Sequence, residues 1–155
     1  MQSNAKASAM LEQQHRAIDA GIKPVLGGAG SLPALQEALQ LLRLHLFLEE
    51  DILFPMLEQN GVTMPVFVMK REHGQMWPVL AELLQACDGG ADPATLRADC
   101  DELFKLLQMH NVKEEQIVYT AADDLAAKGL HEPLVETLDA TVEVPPGWSC
   151  AMAPR

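Results

Sequence analysis

Positive charge is scarce in this sequence. Its 155 residues include 11 lysines and arginines against 22 aspartates and glutamates, which gives a formal net charge of −11 at pH 7. A protein that binds the phosphate backbone of nucleic acid needs clustered lysine and arginine side chains. We therefore expect no nucleic-acid partner, and the acidic surface by itself indicates no other specific partner.

Long apolar runs and paired cysteines are also missing. No stretch approaches the roughly 20 consecutive apolar residues of a membrane span, and residues 1–6 lead into polar sequence without the apolar core of a signal peptide. Cys87, Cys100 and Cys150 are odd in number and have no CxxC spacing, which argues against a disulfide framework or a zinc knuckle. These absences predict a protein of the reducing cytoplasm without a membrane segment.

What the sequence does contain is helical periodicity. Apolar residues recur at spacings of three and four along most of the chain, as on one face of an α-helix. Turns rich in glycine or asparagine divide the pattern, and Ser31 and Asp92 are good N-caps. We predict long helices over residues 3–25, 31–59, 64–87 and 92–125, and a short helix over 132–140. Pro55 and Pro78 should bend the second and third helices.

Four long amphipathic helices with short connections predict an all-α fold, an antiparallel up-down four-helix bundle with a short C-terminal helix. The length and the 48% of apolar residues suit one domain with a sizeable core. We assign residues 1–143 to this domain and 144–155 to an irregular tail, which is either mobile or laid across the bundle through Trp148.

A polar pair interrupts the core-facing stripe of the second helix. His45 and Glu49 are four residues apart and therefore share one helical face. The same face should carry Leu35, Leu39, Leu42, Ile52 and Met56. The spacing returns at His110 and Glu114, on a stripe that continues to Ile117. Burying a histidine and a carboxylate is costly unless they are paired or bind a metal.

Two further histidines, His15 and His73, lie on the inward stripes of the first and third helices. Counted from the connecting turns at about 1.5 Å per residue, all four histidines lie at similar depth. Imidazole and carboxylate together suit first-row metals such as iron, manganese or zinc, and a bundle core is a common place for a two-metal site. The predicted metal ligands are His15, His45, Glu49, His73, His110 and Glu114.

The natural division pairs His15 with His45 on one metal and His73 with His110 on the other. Glu49 and Glu114 would then bridge the two ions. Glu50 and Glu115 lie about 140° from their histidines by helical phase, so we assign them to solvent or to hydrogen bonds behind the ligands. Outside this set, His131 is expected at the surface. Trp77, Met56, Met69, Met76 and Met109 are expected to be packing residues.

Each feature also has an ordinary structural explanation. One histidine on an apolar stripe is more often a hydrogen-bonded core residue than a ligand, and one His-x-x-x-Glu pair is often an exposed helix pair. Four inward histidines and two inward carboxylates in one core layer are harder to explain without a metal, because several polar groups would lack partners. The joint pattern therefore favours a metal site.

The pattern resembles the hemerythrin-like, or HHE cation-binding, family over about residues 10–119. The likeness rests on Glu12-Gln-Gln-His15, His45-Leu-Phe-Leu-Glu49-Glu50, Glu72-His73 and His110-Asn-Val-Lys-Glu114-Glu115. The resemblance implies a non-haem di-iron centre in which two iron ions are held by histidines and bridging carboxylates, with an oxo, hydroxo or water bridge. Manganese or zinc in place of iron is the alternative.

Two positions differ from the oxygen-carrying hemerythrins. Trp77 stands where those proteins have an additional histidine, and their aspartate five residues after the last histidine is Glu115 here, preceded by Glu114. The chain is more similar to the four-histidine, two-glutamate members, which are linked to nitrosative stress and repair of iron–sulfur clusters. The resemblance implies a small diatomic ligand or peroxide as partner.

Three functions follow as hypotheses. The first is a di-iron protein that binds or reacts with O₂, NO or peroxide as a sensor, scavenger or stress protein. The second is an iron-storage or iron-donor module without turnover, and the third is a structural metal-binding bundle, with zinc or no metal. The sequence does not predict the oligomeric state.

Overall fold

The structure is a computed structural model that describes residues 6–129 and 134–154. Every regular element in these two ranges is a helix, which confirms the predicted all-α class. In chain order the elements are α1 (Ala7–Leu26), α2 (Leu32–Leu48), a first π-helical turn (Glu49–Leu53), α3 (Phe54–Gln59), α4 (Met64–Asp88), a 3₁₀ turn (Pro93–Leu96), α5 (Arg97–Lys113), a second π-helical turn (Glu114–Val118), α6 (Tyr119–Ala127) and α7 (Leu134–Ala140).

The helix starts follow the predicted caps. The Ser31 hydroxyl accepts a hydrogen bond from the backbone N–H of Ala34 at the start of α2, and the Asp92 carboxylate accepts one from the N–H of Ala94. These caps satisfy backbone donors that have no partner within the helix. The Pro78 ring does not end α4, which continues to Asp88. Predicted residues 3–5 and 132–133, and His131, lie outside the described residues.

The four long helices pack in a closed ring of neighbours. Helix α1 packs against α2 and α5, and α4 packs against the same two helices. The buried apolar side chains form two clusters, one around Ile18, Leu42 and Leu80 and the other around Leu11 and Phe54.

All four histidines lie where one apolar cluster gives way to the other. On α1, for example, Leu11 belongs to one cluster, Ile18 to the other, and His15 lies between them. His73 on α4 lies likewise between Met69 and Met76. The histidines therefore share one polar layer between two apolar layers, as the comparison of helix depths predicted.

The two π-helical turns were not predicted, and they correct the predicted stripes. Each begins at the glutamate of a His-x-x-x-Glu pair. A π-helical turn contains more residues than an α-helical turn, so the face that follows is displaced along the sequence. The structure buries Val118, whereas the predicted Ile117 is 52% exposed. Similarly, Leu53 is buried in place of the partly exposed Ile52.

The same displacement affects the end of the predicted second helix. Leu57 is fully buried, whereas the predicted Met56 is only partly buried. The departure from α-helical geometry begins at Glu49, well before Pro55. Pro55 itself lies in the first turn of α3, where a missing N–H costs little.

The C-terminal segment of residues 141–154 contains no helix or strand and lies across α2 and α4. The Trp148 ring makes edge-to-face contacts with Phe47 and Trp77, at centroid distances of 5.4 and 5.6 Å. Its indole N–H donates to Asp51. Of the two alternatives for the tail, the structure therefore shows the one in which Trp148 packs on the bundle. Trp77 is half-buried beneath this segment rather than part of the core.

Close packing against Gly74 fixes the path of the segment. A Cβ atom on Gly74 would lie 2.3 Å from the carbonyl oxygen of Met152, so no larger residue is accommodated without displacement.

Among the described helices, none combines the length and the apolar character that crossing a membrane requires.

Candidate metal centre

The six residues singled out from the sequence converge in the polar layer between the two apolar clusters. Each is at most 4% exposed, and the two glutamates are fully buried. Their nitrogen and oxygen atoms form two groups of four in which all potential donor atoms lie within 4.8 Å of one another. We call the group of His15, His45, Glu49 and Glu114 the first position. The second position consists of Glu49, His73, His110 and Glu114.

In the first position, Nε2 of His15 lies 3.1 Å from Nε2 of His45 and 3.1 Å from Oε1 of Glu114. Nε2 of His45 lies 3.3 Å from Oε1 of Glu49. Donor atoms bound to one first-row metal at about 2.0–2.2 Å are roughly 3 Å apart when they subtend a right angle. These separations therefore suit a single cation.

The second position repeats this arrangement. Nε2 of His73 lies 3.2 Å from Oε1 of Glu49, and Nε2 of His110 lies 3.1 Å from Oε2 of Glu114. Glu114 thus directs one carboxylate oxygen at each position. Glu49 directs Oε1 at both, because this atom lies between His45 and His73. The two glutamates are shared, and the histidines divide into the pairs expected from the sequence.

Each histidine also has a hydrogen-bond acceptor at its outer ring nitrogen. Nδ1 of His73 lies 2.7 Å from Oε2 of Glu50, and Nδ1 of His15 lies 3.0 Å from Oε2 of Glu115. Glu50 and Glu115 therefore lie behind the donor set and bind histidines rather than solvent alone. An acceptor at Nδ1 places the ring N–H there and leaves the Nε2 lone pair directed inward.

The other two acceptors were missed in the sequence. Gln14 Oε1 lies 2.7 Å from Nδ1 of His45, and Glu72 Oε1 lies 2.9 Å from Nδ1 of His110. Glu72 is also paired with Lys113. Both acceptors directly precede a histidine in the sequence, but each binds the histidine of a neighbouring helix. Their positions directly before His15 and His73 were the signal in the sequence that could have identified these two acceptors.

Sequence analysis also missed two aromatic rings that flank the layer. The Tyr119 ring stacks on His15 at a centroid distance of 5.5 Å, and the Phe54 ring stacks on His73 at 5.6 Å. Tyr119 follows His110 by nine residues, as Phe54 follows His45. The Tyr119 hydroxyl lies 2.7 Å from Oε2 of Glu49 and 2.8 Å from Oε1 of Glu114.

The electrostatics of the layer favour a positive charge at its centre. Burial opposes protonation of His45, but Glu49 and Glu114 outweigh it and raise the pKa of His45 to about 9. The pKa of His73 is raised well above its usual value, because hydrogen bonds to carboxylates outweigh its burial. Without a metal, protons therefore compensate the two buried carboxylates.

Two buried atoms support the fit of a metal to this site. Glu49 Oε1 and His73 Nε2 have no hydrogen-bond partner within the described chain. Unpaired buried polar atoms are rare and costly. Both atoms belong to the donor set and face each other at 3.2 Å, so a cation between them would satisfy both. The donor types, imidazole and carboxylate, are those of first-row metal sites.

The C-terminal segment reaches the outer side of the second position. The backbone N–H of Ala151 donates to Oε1 of Glu50 at 2.9 Å, and the other oxygen of Glu50 binds His73. Cys150 is buried beside this pair, and burial raises the pKa of its thiol. The segment therefore holds in place the acceptor that orients His73.

The chain is similar to uncharacterized proteins of Mycobacterium bovis and of two strains of Mycobacterium tuberculosis, each 29% identical over 118 residues. The matched region covers 69% of this chain and 46% of each relative, so the chain spans about half the length of these relatives. No solved structure matches significantly.

The family comparison covers the whole donor set. Residues 6–122 match the model of the hemerythrin HHE cation-binding domain, a span that contains all six residues of the layer and Tyr119. The match takes in more than half of the chain. The protein therefore belongs to the hemerythrin HHE cation-binding domain family, with a candidate metal site of histidines and glutamates.

Proposed function

We propose that this protein is a non-haem di-iron protein that binds or reacts with O₂, NO or peroxide, as a sensor, scavenger or stress protein. The observation that carries the proposal is the orientation of the four histidines. All four outer nitrogens face acceptors, so the inner lone pairs converge on two positions that share Glu49 and Glu114.

The residues have distinct parts in this proposal. His15 and His45 would hold one iron, His73 and His110 the other, and Glu49 and Glu114 would bridge them. Two iron ions would supply the electrons for binding or reducing a small oxidant, and manganese or zinc is the alternative occupant. The buried carboxylates balance the cationic charge, and the apolar clusters on both sides keep water from the layer.

Several finer features belong to the same proposal. The ring of neighbours formed by α1, α2, α4 and α5 supports an antiparallel up-down four-helix bundle, with residues 1–143 as the domain and 144–155 as its tail. A cytoplasmic location, expected from the sequence, and a role in iron–sulfur repair, implied by the resemblance to the four-histidine, two-glutamate members, are also part of the proposal. The matched relatives are about twice as long as this chain. Any activity of a whole protein of that length is therefore also part of the proposal.

The experiment is metal analysis with an optical spectrum of protein purified without added metal. Spectra are recorded before and after dithionite, and again after air or NO. We expect two iron ions per chain and absorption that changes with reduction and with gas. The control is Glu58→Gln, a glutamate on α3 that is paired with Lys70 away from the layer; it should leave iron content and spectrum unchanged.

Other results would favour the remaining hypotheses. Iron that is readily removed by a chelator, with no spectral change on adding O₂ or NO, would favour the storage or donor function. Substoichiometric zinc with a featureless spectrum would favour a structural bundle, and the proposed redox function would then be wrong.

A further inference from the structure

We propose that the hydroxyl of Tyr119 is a fifth protein ligand of the first position, which leaves the second position to receive the small molecule. This inference rests on the proposed function, because it assumes that the layer holds two cations. It goes beyond the six donors by assigning different parts to the two positions, one closed by protein and one open.

The hydroxyl oxygen lies close to every donor residue of the first position. It is 3.1 Å from Nε2 of His15 and 3.3 Å from Nε2 of His45. The nearest oxygens of Glu49 and Glu114 lie at 2.7 and 2.8 Å. Among the described residues, no other hydroxyl contacts these donors.

The distances also show on which part of the coordination sphere the hydroxyl lies. An atom at the centre of a metal site is markedly closer to the donors than the donors are to one another. Here the hydroxyl lies 2.7–3.3 Å from the donors, only slightly less than the 3.1 Å between the two histidine nitrogens and the 3.7 Å from His45 to Oε1 of Glu114. The hydroxyl therefore lies at a corner of the donor polyhedron and not at its centre.

Hydrogen bonding alone leaves this arrangement unbalanced. The phenol has one proton, yet carboxylate oxygens of Glu49 and Glu114 both lie within hydrogen-bond distance of its oxygen. Only one of them can accept that proton at a time. A cation in the first position would attract both the phenol oxygen and the carboxylate that is left without this proton.

The second π-helical turn brings the hydroxyl to this corner. In an α-helix, a residue five positions after Glu114 would lie about 140° away around the axis. In the wider turn, the backbone N–H of Tyr119 bonds instead to the carbonyl of Glu114, so the two residues lie one above the other. The phenol therefore lies on the same face as the glutamate. π-helical turns of this kind often occur at functional sites.

The repeat within the chain provides the internal comparison. Phe54 follows Glu49 as Tyr119 follows Glu114, its N–H bonds to the carbonyl of Glu49, and its ring stacks on His73. Phe54 has no oxygen, so the corresponding corner of the second position has no protein donor from this ring. The two positions thus differ by one hydroxyl at equivalent sites.

Binding of the phenol requires no electron transfer. With a cation in the first position, the O–H bond would break, the proton would pass to solvent, and a lone pair of the oxygen would bind the cation. The phenolate would compensate one positive charge, and no oxidant or reductant would be consumed.

The experiment uses the fact that Tyr119 is the one tyrosine in the sequence. The full chain is loaded with iron, oxidised in air, and measured by resonance Raman with natural and with ring-deuterated tyrosine. We expect enhanced tyrosinate vibrations that shift on deuteration. Tyr119→Phe should lose them while keeping two iron ions per chain. Phe54→Tyr should roughly double their intensity and lose NO binding to the reduced protein.

The site of the ligand is tested with two single-histidine variants. His15→Ala should lose the tyrosinate vibrations, and His110→Ala should keep them. The opposite pattern would overturn the assignment to the first position. Wild-type protein with two iron ions and no tyrosinate vibrations would overturn the inference and leave the proposed function standing. Protein that binds no metal would overturn both.

Discussion

The two candidate metal positions are built from equivalent residues of a repeated pattern, yet their surroundings differ. The outer acceptors of the first position are Gln14, which is neutral, and Glu115, whose side chain is 37% exposed. Those of the second position are Glu50, whose side chain is 3% exposed, and Glu72, which is paired with Lys113. Carboxylate acceptors make a histidine a stronger donor than an amide does, so equivalent ligands need not bind equally.

The repeat therefore determines which residues are available to bind metal, and the rest of the chain determines how strongly they bind it. The second position has two anionic acceptors, and one of them is held by the C-terminal segment through Ala151. The first position has the Tyr119 hydroxyl instead. We therefore expect the second position to be the better ordered of the two and the more sensitive to changes in the tail.

The largest expected effect is a loss of metal affinity at both positions, after which they no longer differ. Glu49→Ala takes away a donor that contacts both positions. We expect metal affinity to fall more than about 100-fold at both positions, which exceeds the effect of removing an outer partner, and the melting temperature of the metal-loaded protein to fall with it. Metal analysis and calorimetry measure the two changes.

A matched glutamate provides the control for this variant. Glu58→Ala removes a side chain that is 40% exposed and paired with Lys70, so both quantities should remain at wild-type values. Unchanged metal content and melting in Glu49→Ala would contradict the assignment of Glu49 as a bridge.

The second prediction compares the outer acceptors directly. Glu50→Gln should weaken the second position about 10–100-fold, because the anionic acceptor of His73 is replaced by a neutral one. Glu115→Gln should weaken the first position less than about tenfold, because Glu115 is partly exposed and its charge is screened. Stepwise titration with zinc measures both affinities. Equal losses in the two variants would show that burial of the acceptor is unimportant.

The third prediction concerns pH and protons that compete with metal. Burial opposes protonation of His45, but Glu49 and Glu114 raise its pKa from 6.5 to about 9. A raised folded-state pKa stabilises the metal-free protein fully below pH 6.5, and this contribution is lost as the pH rises to about 9. The melting temperature of metal-free protein should fall over this window.

Metal-loaded protein should behave in the opposite sense. A cation displaces the proton of His45 at lower cost as the pH rises, so the increase in melting temperature on adding zinc should grow from pH 6.5 to 9. Calorimetry with and without zinc measures both trends. An increase that shrinks over this window would contradict the proton competition.

The smallest expected effect comes from the tail. Gly74→Ala would place a Cβ atom 2.3 Å from the Met152 carbonyl, which displaces the segment and weakens the contact of Ala151 with Glu50. We expect the second position to weaken by up to about tenfold, with a change in tryptophan fluorescence. Gly89→Ala at the end of the same helix, where the nearest atom would be 3.5 Å away, is the control. Unchanged affinity and fluorescence in Gly74→Ala would show that the tail does not support the site.

Most of the fold could be predicted because helical periodicity is local. The all-α class, the caps at Ser31 and Asp92 and the shared depth of the histidines follow from residue spacing alone. The faces after Glu49 and Glu114 could not be predicted, since spacing rules assume α-helical phase. For this reason Ile117, which was predicted to face the core, is exposed, and Val118 is buried in its place.

The sequence by itself determined which residues are candidate ligands and predicted that they share one layer. A spacing of four residues places His45 with Glu49, and His110 with Glu114, on one helical face, and the apolar residues that share that face indicate that it points inward. The family match and the convergence of all six residues agree with that part.

Only the tertiary structure decided which side chains meet across helices. The binding of Gln14 to His45, the arrival of Tyr119 beside His15, and the support of Glu50 by the tail all depend on how whole helices rotate and pack. Such contacts join residues distant in sequence, and their geometry is set by the two π-helical turns and by the packing of the apolar layers. Local spacing carries no information about either, so the donors were predictable and their differences were not.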